Sequence, residues 1–160
     1  MKEIPLTQGQ VAIVDDEDFV LMGDYKWSLS SSGYACRDQY INGKPKRLYM
    51  HRVIMGNPCN GYEVDHINGN SLDNRHKNLR LVTHRQNLAN QKKQNRKLSS
   101  IYKGVYFDKA TGKWRGQVGS KGKKYALGRF ITEREAALAY NKAAIEHFGQ
   151  YANLNEIMED

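Results

Sequence analysis

Hydrophobic and polar residues alternate in three short segments of the C-terminal third of the chain. These segments are "IYKGVYF", "KWRGQVGS" and "KKYALGRF", and such alternation is typical of strands with one buried face. The next segment, "TEREAALAYNKAAIEHFG", has helical spacing, with these residues on one face: Ala137, Tyr140, Ala144 and Phe148. A capping box at Thr132 and Glu135 marks the start of the helix, and Gly149 marks its end. The pattern predicts three antiparallel strands packed on one helix.

The N-terminal part of the chain has shorter and less regular patterns. In the first fifty residues, short β-forming segments alternate with turns, and Asn42-Gly43 favours a tight hairpin turn. Strands are then predicted at "GYEVDH" and "NLRLVT", on either side of the turn-rich loop "INGNSLDNRHK". Thr83 and Gln86 fit a capping box, which places a helix directly after the second strand. Residues 62–91 are therefore predicted to form strand, long loop, strand and helix.

The distribution of charge changes the functional picture. The chain has 160 residues and a formal net charge of +8. Residues 1–24 carry six acidic residues against Lys2 alone, whereas residues 92–124 carry eleven lysines and arginines against Asp108 alone. Positive charge concentrated in this way favours a polyanionic partner, and nucleic acid is the simplest one. The alternative is surface charge that only keeps the protein in solution.

Other features of the composition bear on the location of the protein. The chain contains no run of 18 apolar residues, so no membrane span is expected. The segment "MKEIPLTQGQ" lacks the basic and apolar parts of a signal peptide. Cys36 and Cys59 are too few and too far apart for a zinc ribbon. We therefore expect a reducing, cytoplasmic environment.

The segment from Tyr62 to Gln91 is rich in groups that bind metals or transfer protons. Asp65 and Asn87 offer hard oxygen ligands, which suit Mg²⁺ or Mn²⁺. A neutral imidazole at His66 can take a proton from an attacking water, because its unperturbed pKa is about 6.5. Asn78 would hold the loop or orient that imidazole. Since neighbouring residues on a regular strand point to opposite faces, the site requires irregular geometry at the Asp65-His66 pair.

Other interpretations of these polar residues are weaker. Five of them are interpreted as turn asparagines or exposed histidines without a ligand role: Asn68, Asn70, Asn74, His76 and His84. An EF-hand is excluded because Ile67 occupies an oxygen-ligand position. A zinc site is not favoured, since Cys59 is the one thiol near this segment in the sequence.

An Asp-His pair, an Asn-Leu pair and a helical Asn follow one another in "MHRVIMG" and "EVDHINGNSLDNRHKNLRLVTHRQNLAN". This arrangement resembles the HNH endonucleases of the ββα-metal type, and closely resembles the homing endonucleases encoded by phages and introns. The third position carries Asn rather than His, as in the homing group. The resemblance implies roles for six residues. Asp65 and Asn87 would be metal ligands, His66 the general base and Asn78 a structural residue. Arg52 would contact a phosphate, and His51 would have a structural or supporting role.

The segment from 101 to 155 contains "YKGV", "GKW", "LGRF", "EAALAY" and a final "LN", in this order. It resembles the Apetala-two/ERF DNA-binding domain of plant ethylene-response factors. The resemblance implies a sheet in the DNA major groove that makes contact through Lys103, Gly104, Tyr106, Arg115, Gln117, Lys124 and Ala126. Family arginines and a tryptophan are replaced here by Lys103, Tyr106, Gly119 and Ala126. Lysine cannot form the arginine fork on guanine, so phosphate contacts and weaker sequence reading are expected.

These observations together predict an α+β protein. A nuclease module with the ββα-metal HNH motif spans residues 1–90, a basic linker spans 91–100, and an Apetala-two/ERF-like domain spans 101–156. The linker is interpreted either as an arm that lies along phosphates through Lys92, Lys93 and Arg96 or as a solvated spacer. The N-terminal "IPLTQGQVAIVDDEDF" resembles the leader of bacterial and phage proteins that join two such modules, which implies the cytoplasm of a bacterial host or a phage-infected cell.

The expected activity is metal-dependent hydrolysis of double-stranded DNA, with 3′-hydroxyl and 5′-phosphate products. One metal site per chain favours a monomer that nicks one strand. One alternative is a catalytically silent DNA-binding regulator of a mobile element. Another is an RNA nuclease or a structural nucleic-acid protein.

Overall fold

The computed structural model of the chain describes residues 1–91, 99–120 and 122–157. The fold is α+β, as predicted, and it divides into two compact units, Met1–His84 and Arg85–Asp160. Within the described residues, no helix has the length and apolar character needed to cross a membrane. The division into residues 1–90, 91–100 and 101–156 and the cytoplasmic location stay predictions.

The first unit contains three small antiparallel sheets, with strand orders β1-β2, β3-β4-β5 and β6-β7. Its elements are β1 (Lys2–Pro5), β2 (Val11–Val14), α1 (Asp16–Met22), β3 (Ser28–Leu29), β4 (Ala35–Ile41), β5 (Lys44–Tyr49), α2 (Met50–Ile54), β6 (Tyr62–His66) and β7 (Leu79–Thr83). The predicted hairpin turn at Asn42-Gly43 joins β4 to β5, and both of its residues have positive φ angles. Both φ angles suit a two-residue hairpin, which explains the Asn-Gly pair.

The core of the first unit forms around Trp27, which is almost completely buried. Its indole N–H donates to the Met22 carbonyl at 3.0 Å, so the one polar atom of the ring is satisfied. Ile4, Val14 and Met50 belong to the same buried cluster. This core joins β1 and β2 to α2, the helix that carries two of the predicted site residues.

The predicted strands of the nuclease motif are present as β6 and β7, which pair in antiparallel register. The long loop between them is held at two places. At its base, the Ile67 amide donates to the Asn78 carbonyl at 2.9 Å. In its middle, the loop pairs with β2, because the Asn74 amide donates to the Ile13 carbonyl at 2.7 Å. The loop is therefore anchored to the core sheet and not only to its own hairpin.

The second unit is the predicted sheet of three antiparallel strands packed on one helix. Its elements are α3 (His84–Asn90, of which His84 falls in the first unit), β8 (Val105–Asp108), β9 (Lys113–Ser120), β10 (Lys123–Phe130) and α4 (Glu133–Phe148), with strand order β10-β9-β8. Val118 packs on Tyr140 and Ala144 of α4. The predicted capping box is present, since the Thr132 hydroxyl accepts from the Glu135 amide at 3.1 Å.

Candidate active site

The Asp65-His66 pair lies at the C-terminal end of β6. Strand pairing continues regularly through both residues, with Asp65 opposite Arg80 and His66 opposite Leu79. The irregular geometry that the sequence predicted at this pair is therefore absent from β6 as the structure describes it. Because the strand is regular, the two side chains point to opposite faces, and each has its own set of contacts.

The carboxylate of Asp65 is buried and paired with a positive charge. Its Oδ2 accepts a hydrogen bond from Arg80 Nε at 2.9 Å and lies 2.8 Å from Arg80 Nη2. A carboxylate removed from water needs such a partner, because desolvation penalises the ionised form. Arg80 was missed in the sequence, although pairing the two predicted strands as a hairpin places it directly opposite Asp65.

The imidazole of His66 lies on the other face of β6, and it is also buried. Its Nε2 lies 3.2 Å from Oδ1 of Asn74. The ring centroids of His51 and Tyr34 lie 5.2 and 5.9 Å from that of His66. The polar contact with Asn74 and the two neighbouring rings thus help to hold the His66 ring.

The surroundings of His66 favour its neutral form. Burial lowers the pKa of His66, and this effect outweighs three opposing ones: the hydrogen bond with Asn74 and the negative charges of Asp65 and Asp73. A neutral imidazole has one nitrogen that can accept a proton. Its protonation state therefore suits the role of general base that the sequence predicted.

The side chain of Asn78 connects the two ends of the long loop. Its Oδ1 accepts from the Asn68 amide at 3.0 Å, and its Nδ2 donates to the Asp73 carbonyl at 2.7 Å. Of the two roles predicted for Asn78, this geometry matches the holding of the loop. The contact with the imidazole comes from Asn74 instead.

The interpretation of Asn74 as a simple turn residue is wrong. Asn74 is completely buried, and its side chain contacts His66. Asn68 and Asn70 do form turns, since each side-chain oxygen accepts from a backbone amide two residues later. The difference arises because the loop pairs with Ile13 at Asn74, a tertiary contact that draws this residue inside.

His76 and His84 are exposed, as predicted. His76 Nε2 lies 3.2 Å from Asp18 Oδ2, and His84 Nδ1 lies 2.8 Å from Glu63 Oε1. Each histidine therefore has a carboxylate neighbour at the surface of the first unit.

Two further predicted residues, His51 and Arg52, lie on α2. Burial is the main cause that lowers the pKa of His51 to about 3, with smaller contributions from the charges of His66 and Arg52. His51 Nδ1 is buried and has no hydrogen-bond partner among the described residues. Arg52 Nη2 donates to the Pro58 carbonyl at 3.2 Å, which stabilises the turn after α2. The contacts of His51 match a neutral, supporting residue.

The predicted metal ligands suit a hard divalent cation by their chemistry. Asp65 supplies a buried carboxylate, which a bound cation would share with the Arg80 guanidinium, and Asn87 supplies a carboxamide oxygen. Asp65 lies in the first unit and Asn87 lies on α3, in the second. Over residues 1–91, 99–120 and 122–157, no three His, Cys, Asp or Glu side chains group as a metal site. The pair Asp65 and Asn87 therefore stays a prediction.

Five of the predicted DNA-contact residues share one face of the sheet in the second unit. Tyr106 pairs with Arg115 across β8 and β9, and Gln117 pairs with Ala126 across β9 and β10. Lys124 points the same way as Ala126, two residues along β10. Arg115 lies over the Tyr106 ring, 5.6 Å from its centroid. Helix α4 packs on the other face, so we call this one the open face.

Lys103 and Gly104 make their contacts inside the second unit. The Lys103 ammonium donates to the Ala89 carbonyl at 2.8 Å, and burial lowers the pKa of Lys103 to about 8. Gly104 has a φ of +73°, and a Cβ there would lie 2.1 Å from Cδ2 of Tyr140. Packing alone therefore requires a glycine at this position. The residues predicted to lie along phosphates are outside the described residues: Lys92, Lys93 and Arg96.

Comparison with known proteins identifies relatives of both parts of the chain. Residues 49–89 match the profile of the HNH endonucleases. An uncharacterized HNH endonuclease of Acanthamoeba polyphaga mimivirus is 34% identical over 155 residues, which are 94% of this chain and 77% of the relative. The DNA endonuclease I-HmuI of Bacillus phage SP01 is 37% identical over 70 residues, which are 41% of this chain and 40% of that protein.

A plant transcription factor is similar to part of the chain. The AP2-like ethylene-responsive transcription factor TOE2 of Arabidopsis thaliana is 40% identical over 65 residues, which are 41% of this chain and 13% of that protein. No solved structure matches the chain. The chain joins an HNH motif to an AP2-like DNA-binding domain, and it belongs to the HNH endonuclease family.

Proposed function

We propose that the protein is a divalent-metal-dependent endonuclease that nicks double-stranded DNA as a monomer. Its family is that of the HNH endonucleases, enzymes that generally depend on a divalent metal, and DNA is its partner. The main support is the match to the HNH endonuclease profile over residues 49–89, a segment that contains the buried Asp65 carboxylate and the buried, neutral His66 imidazole on opposite faces of β6. These are the groups needed for a metal ligand and a general base.

His66 would start the reaction by accepting a proton from water. The water oxygen then attacks the phosphorus atom, and the bond between phosphorus and the 3′ oxygen breaks. The departing 3′ oxygen takes a proton from solvent, and the products are a 3′-hydroxyl and a 5′-phosphate. Asp65 and Asn87 would hold Mg²⁺ or Mn²⁺, which when bound stabilises negative charge on the phosphate and on the departing oxygen.

The remaining predicted residues of the first unit would support this step. Asn78 fixes the loop by bonding the backbone near its start, at Asn68, and in its middle, at Asp73. His51 packs on the His66 ring as a neutral neighbour. Arg52 lies beside His51 on α2 and would contact a phosphate of the DNA, in addition to its bond with the Pro58 carbonyl.

The open face of the second unit would bind the major groove. We assign the groove contacts to the five residues on that face: Tyr106, Arg115, Gln117, Lys124 and Ala126. Lys103 and Gly104 would support the sheet from inside, because their contacts are with Ala89 and Tyr140. Lys92, Lys93 and Arg96 would bind phosphates without reading sequence. A DNA-binding domain tethered to the nuclease raises the local concentration of the nuclease on DNA. Such tethering suits a small catalytic unit.

The test is the conversion of supercoiled plasmid to nicked circles in the presence of Mg²⁺ or Mn²⁺. The wild-type protein should produce nicked circles, and the chelator EDTA should stop the reaction. His66→Ala should lose nicking and keep its affinity for DNA, because the imidazole acts on water and not on binding. His84→Ala is the matched control, since that side chain is 74% exposed, and it should nick normally.

Three results would contradict the proposal. Wild-type protein that binds DNA but never nicks it would favour the catalytically silent regulator. Normal nicking by His66→Ala would remove the general-base assignment. Preference for RNA or single strands in competition binding would favour the RNA-directed alternative.

A further inference from the structure

The side chain of Asn74 is completely buried beside His66. Its backbone position is fixed, because its amide donates to the Ile13 carbonyl of β2 at 2.7 Å, and the Ile13 amide donates to the Leu72 carbonyl at 2.8 Å. The residue is therefore part of the core of the first unit, although it belongs to a loop that is otherwise rich in turns. A buried amide with so little freedom has only a few ways to satisfy its hydrogen bonds.

The orientation of the Asn74 amide follows from its neighbours. Its Nδ2 lies 3.2 Å from the Leu72 carbonyl oxygen and 3.6 Å from Met50 Sδ. A backbone carbonyl only accepts hydrogen bonds, so the amide nitrogen must be the atom that faces it. The oxygen of the amide, Oδ1, then faces His66 Nε2 at 3.2 Å. An amide oxygen only accepts, so His66 Nε2 must carry the proton.

We propose that Asn74 is a positioning residue that holds His66 as the tautomer with its proton on Nε2. This inference rests on the proposed role of His66 as general base. With the proton on Nε2, Nδ1 keeps the lone pair and is the nitrogen that accepts a proton. The O–H bond of the water breaks, an N–H bond forms at Nδ1, and the oxygen attacks phosphorus while the bond from phosphorus to the 3′ oxygen breaks. The resulting imidazolium keeps its Nε2–H bond to Asn74 Oδ1.

The rings that neighbour His66 disfavour the flipped orientation of its imidazole. The His51 ring meets the His66 ring edge to face, with an interplanar angle of 73°. The Tyr34 ring is tilted by 32° relative to the plane of the His66 ring. A half-turn of the imidazole would place a carbon atom against Asn74 Oδ1 and leave that buried oxygen without its hydrogen bond. An unpaired buried acceptor is unfavourable, so the amide and the rings favour the same ring position.

The first test is direct observation of the tautomer by NMR of ring nitrogens in ¹⁵N-labelled full-length protein. The chain has five histidines, and the signals that disappear in His66→Ala identify the His66 ring. At neutral pH we expect His66 with the proton on Nε2. A proton on Nδ1, or an even mixture of tautomers, would overturn the inference.

Variants of Asn74 connect the tautomer to the reaction. Asn74→Asp keeps an oxygen toward His66 Nε2 and should keep the tautomer. Asn74→Leu removes that oxygen at similar volume, and it should give mixed tautomers and a nicking rate at saturating DNA about 10- to 100-fold lower. The DNA concentration that gives half the maximal rate should stay the same. Asn70→Ala is the control in the same loop, and it should match the wild type in tautomer and rate.

The outcomes separate this inference from the proposed function. If Asn74→Leu keeps both the tautomer and the rate, Asn74 does not position His66, and the inference is overturned. If Asn74→Leu fails to fold, the tautomers of the wild type and of Asn74→Asp still decide the question. A wild type that never nicks overturns the proposed function, whereas a proton on Nδ1 in a protein that nicks overturns only the role of Asn74.

Discussion

At the scale of single residues, the ion pair between Asp65 and Arg80 sets the character of the site. The side chains are 7% and 17% exposed. Arg47 and Asp38 form a second pair with similar distances, but their side chains are 53% and 47% exposed. Exposed pairs contribute about 1 kcal/mol or less, whereas loss of one partner of a buried pair costs about 3–5 kcal/mol. Comparing the two pairs therefore tests how burial changes the contribution of an ion pair to the free energy of unfolding.

Arg80→Gln should lower the free energy of unfolding by about 3 kcal/mol without metal, because it leaves the buried Asp65 carboxylate without its guanidinium. A divalent cation near Asp65 would partly replace the lost charge, so Mn²⁺ should stabilise Arg80→Gln more than the wild type. The measurement is urea unfolding with Mn²⁺ or EDTA. The signal is Trp27 fluorescence in a Trp114→Phe background. Arg47→Gln should change stability by less than about 1 kcal/mol. Equal effects of the two variants would contradict the argument.

His51 makes the stability of the first unit depend on pH. Burial lowers the pKa of His51 to about 3 in the folded protein, below the usual value of about 6.5 for the unfolded chain. Between these values the unfolded state binds the extra proton, so the free energy of unfolding falls as the pH decreases from 6.5 toward 3. The slope for one such group approaches about 1.4 kcal/mol per pH unit.

His51→Phe should remove this contribution, because phenylalanine has no group to protonate and suits a ring position among Tyr34, Tyr49 and His66. Urea unfolding at pH 7, 6 and 5 should give a flatter pH dependence for His51→Phe than for the wild type. The lowered pKa of His66 acts in the same direction in both proteins, so the difference reports His51. A slope for His51→Phe as steep as that of the wild type would contradict this explanation.

At the scale of elements, local pattern predicted β6, β7 and the sheet and helix of the second unit, but it missed the helices α1 and α2 and the contacts between distant segments. The alternation in "KWRGQVGS" and the capping box at Thr132 are local features, and β9 and α4 follow them closely. Asn74 looked like a turn residue because its inward position depends on pairing with Ile13, sixty-one residues earlier in the chain. The position of Arg80 opposite Asp65 follows from the register of the hairpin, and that register is known only when the two strands are paired. Local pattern therefore predicts which residue types the candidate site contains, but not which side chains contact them.

Gly104 shows how one position connects the sheet of the second unit to its helix. Its φ is positive, and an added Cβ would lie 2.1 Å from Tyr140 Cδ2 and 2.5 Å from the Gln117 carbonyl oxygen. Gly112 also has a positive φ, but nothing lies within 4 Å of an added Cβ there. Substitution by alanine imposes backbone strain of about 1–2 kcal/mol at either position. Only at Gly104 does it also force α4 away from the sheet.

Gly104→Ala should therefore destabilise the second unit by about 1–3 kcal/mol more than Gly112→Ala, the usual range for overpacking. Thermal unfolding followed by Trp114 fluorescence, in a Trp27→Phe background, measures the difference. Since the open face depends on the packed sheet, DNA affinity should fall for Gly104→Ala and stay near the wild-type value for Gly112→Ala. Equal stability of the two variants would show that Tyr140 and the β9 backbone move aside easily.

At the scale of the whole molecule, the uneven charge predicts how the protein binds DNA. The net charge is +8, and residues 92–124, with eleven basic residues against one acidic residue, are more positive than the chain as a whole. Binding that neutralises phosphates releases counterions, so the logarithm of the association constant falls with the logarithm of salt concentration by about 0.9 per phosphate. A flat dependence on salt would remove the electrostatic argument for the basic segment and the open face together.

Two lysines of the second unit give this prediction a sharper form. Lys124 is exposed on the open face, so Lys124→Ala should make the slope of the salt dependence less steep by about one phosphate contact. The Lys103 ammonium is bonded to the Ala89 carbonyl, so Lys103→Met, which keeps the aliphatic length, should leave the slope unchanged. Fluorescence anisotropy with a labelled duplex at several salt concentrations measures both slopes. A reduced slope for Lys103→Met would mean that this ammonium leaves its carbonyl to bind a phosphate. Lys103 would then be a DNA contact, as the resemblance implies.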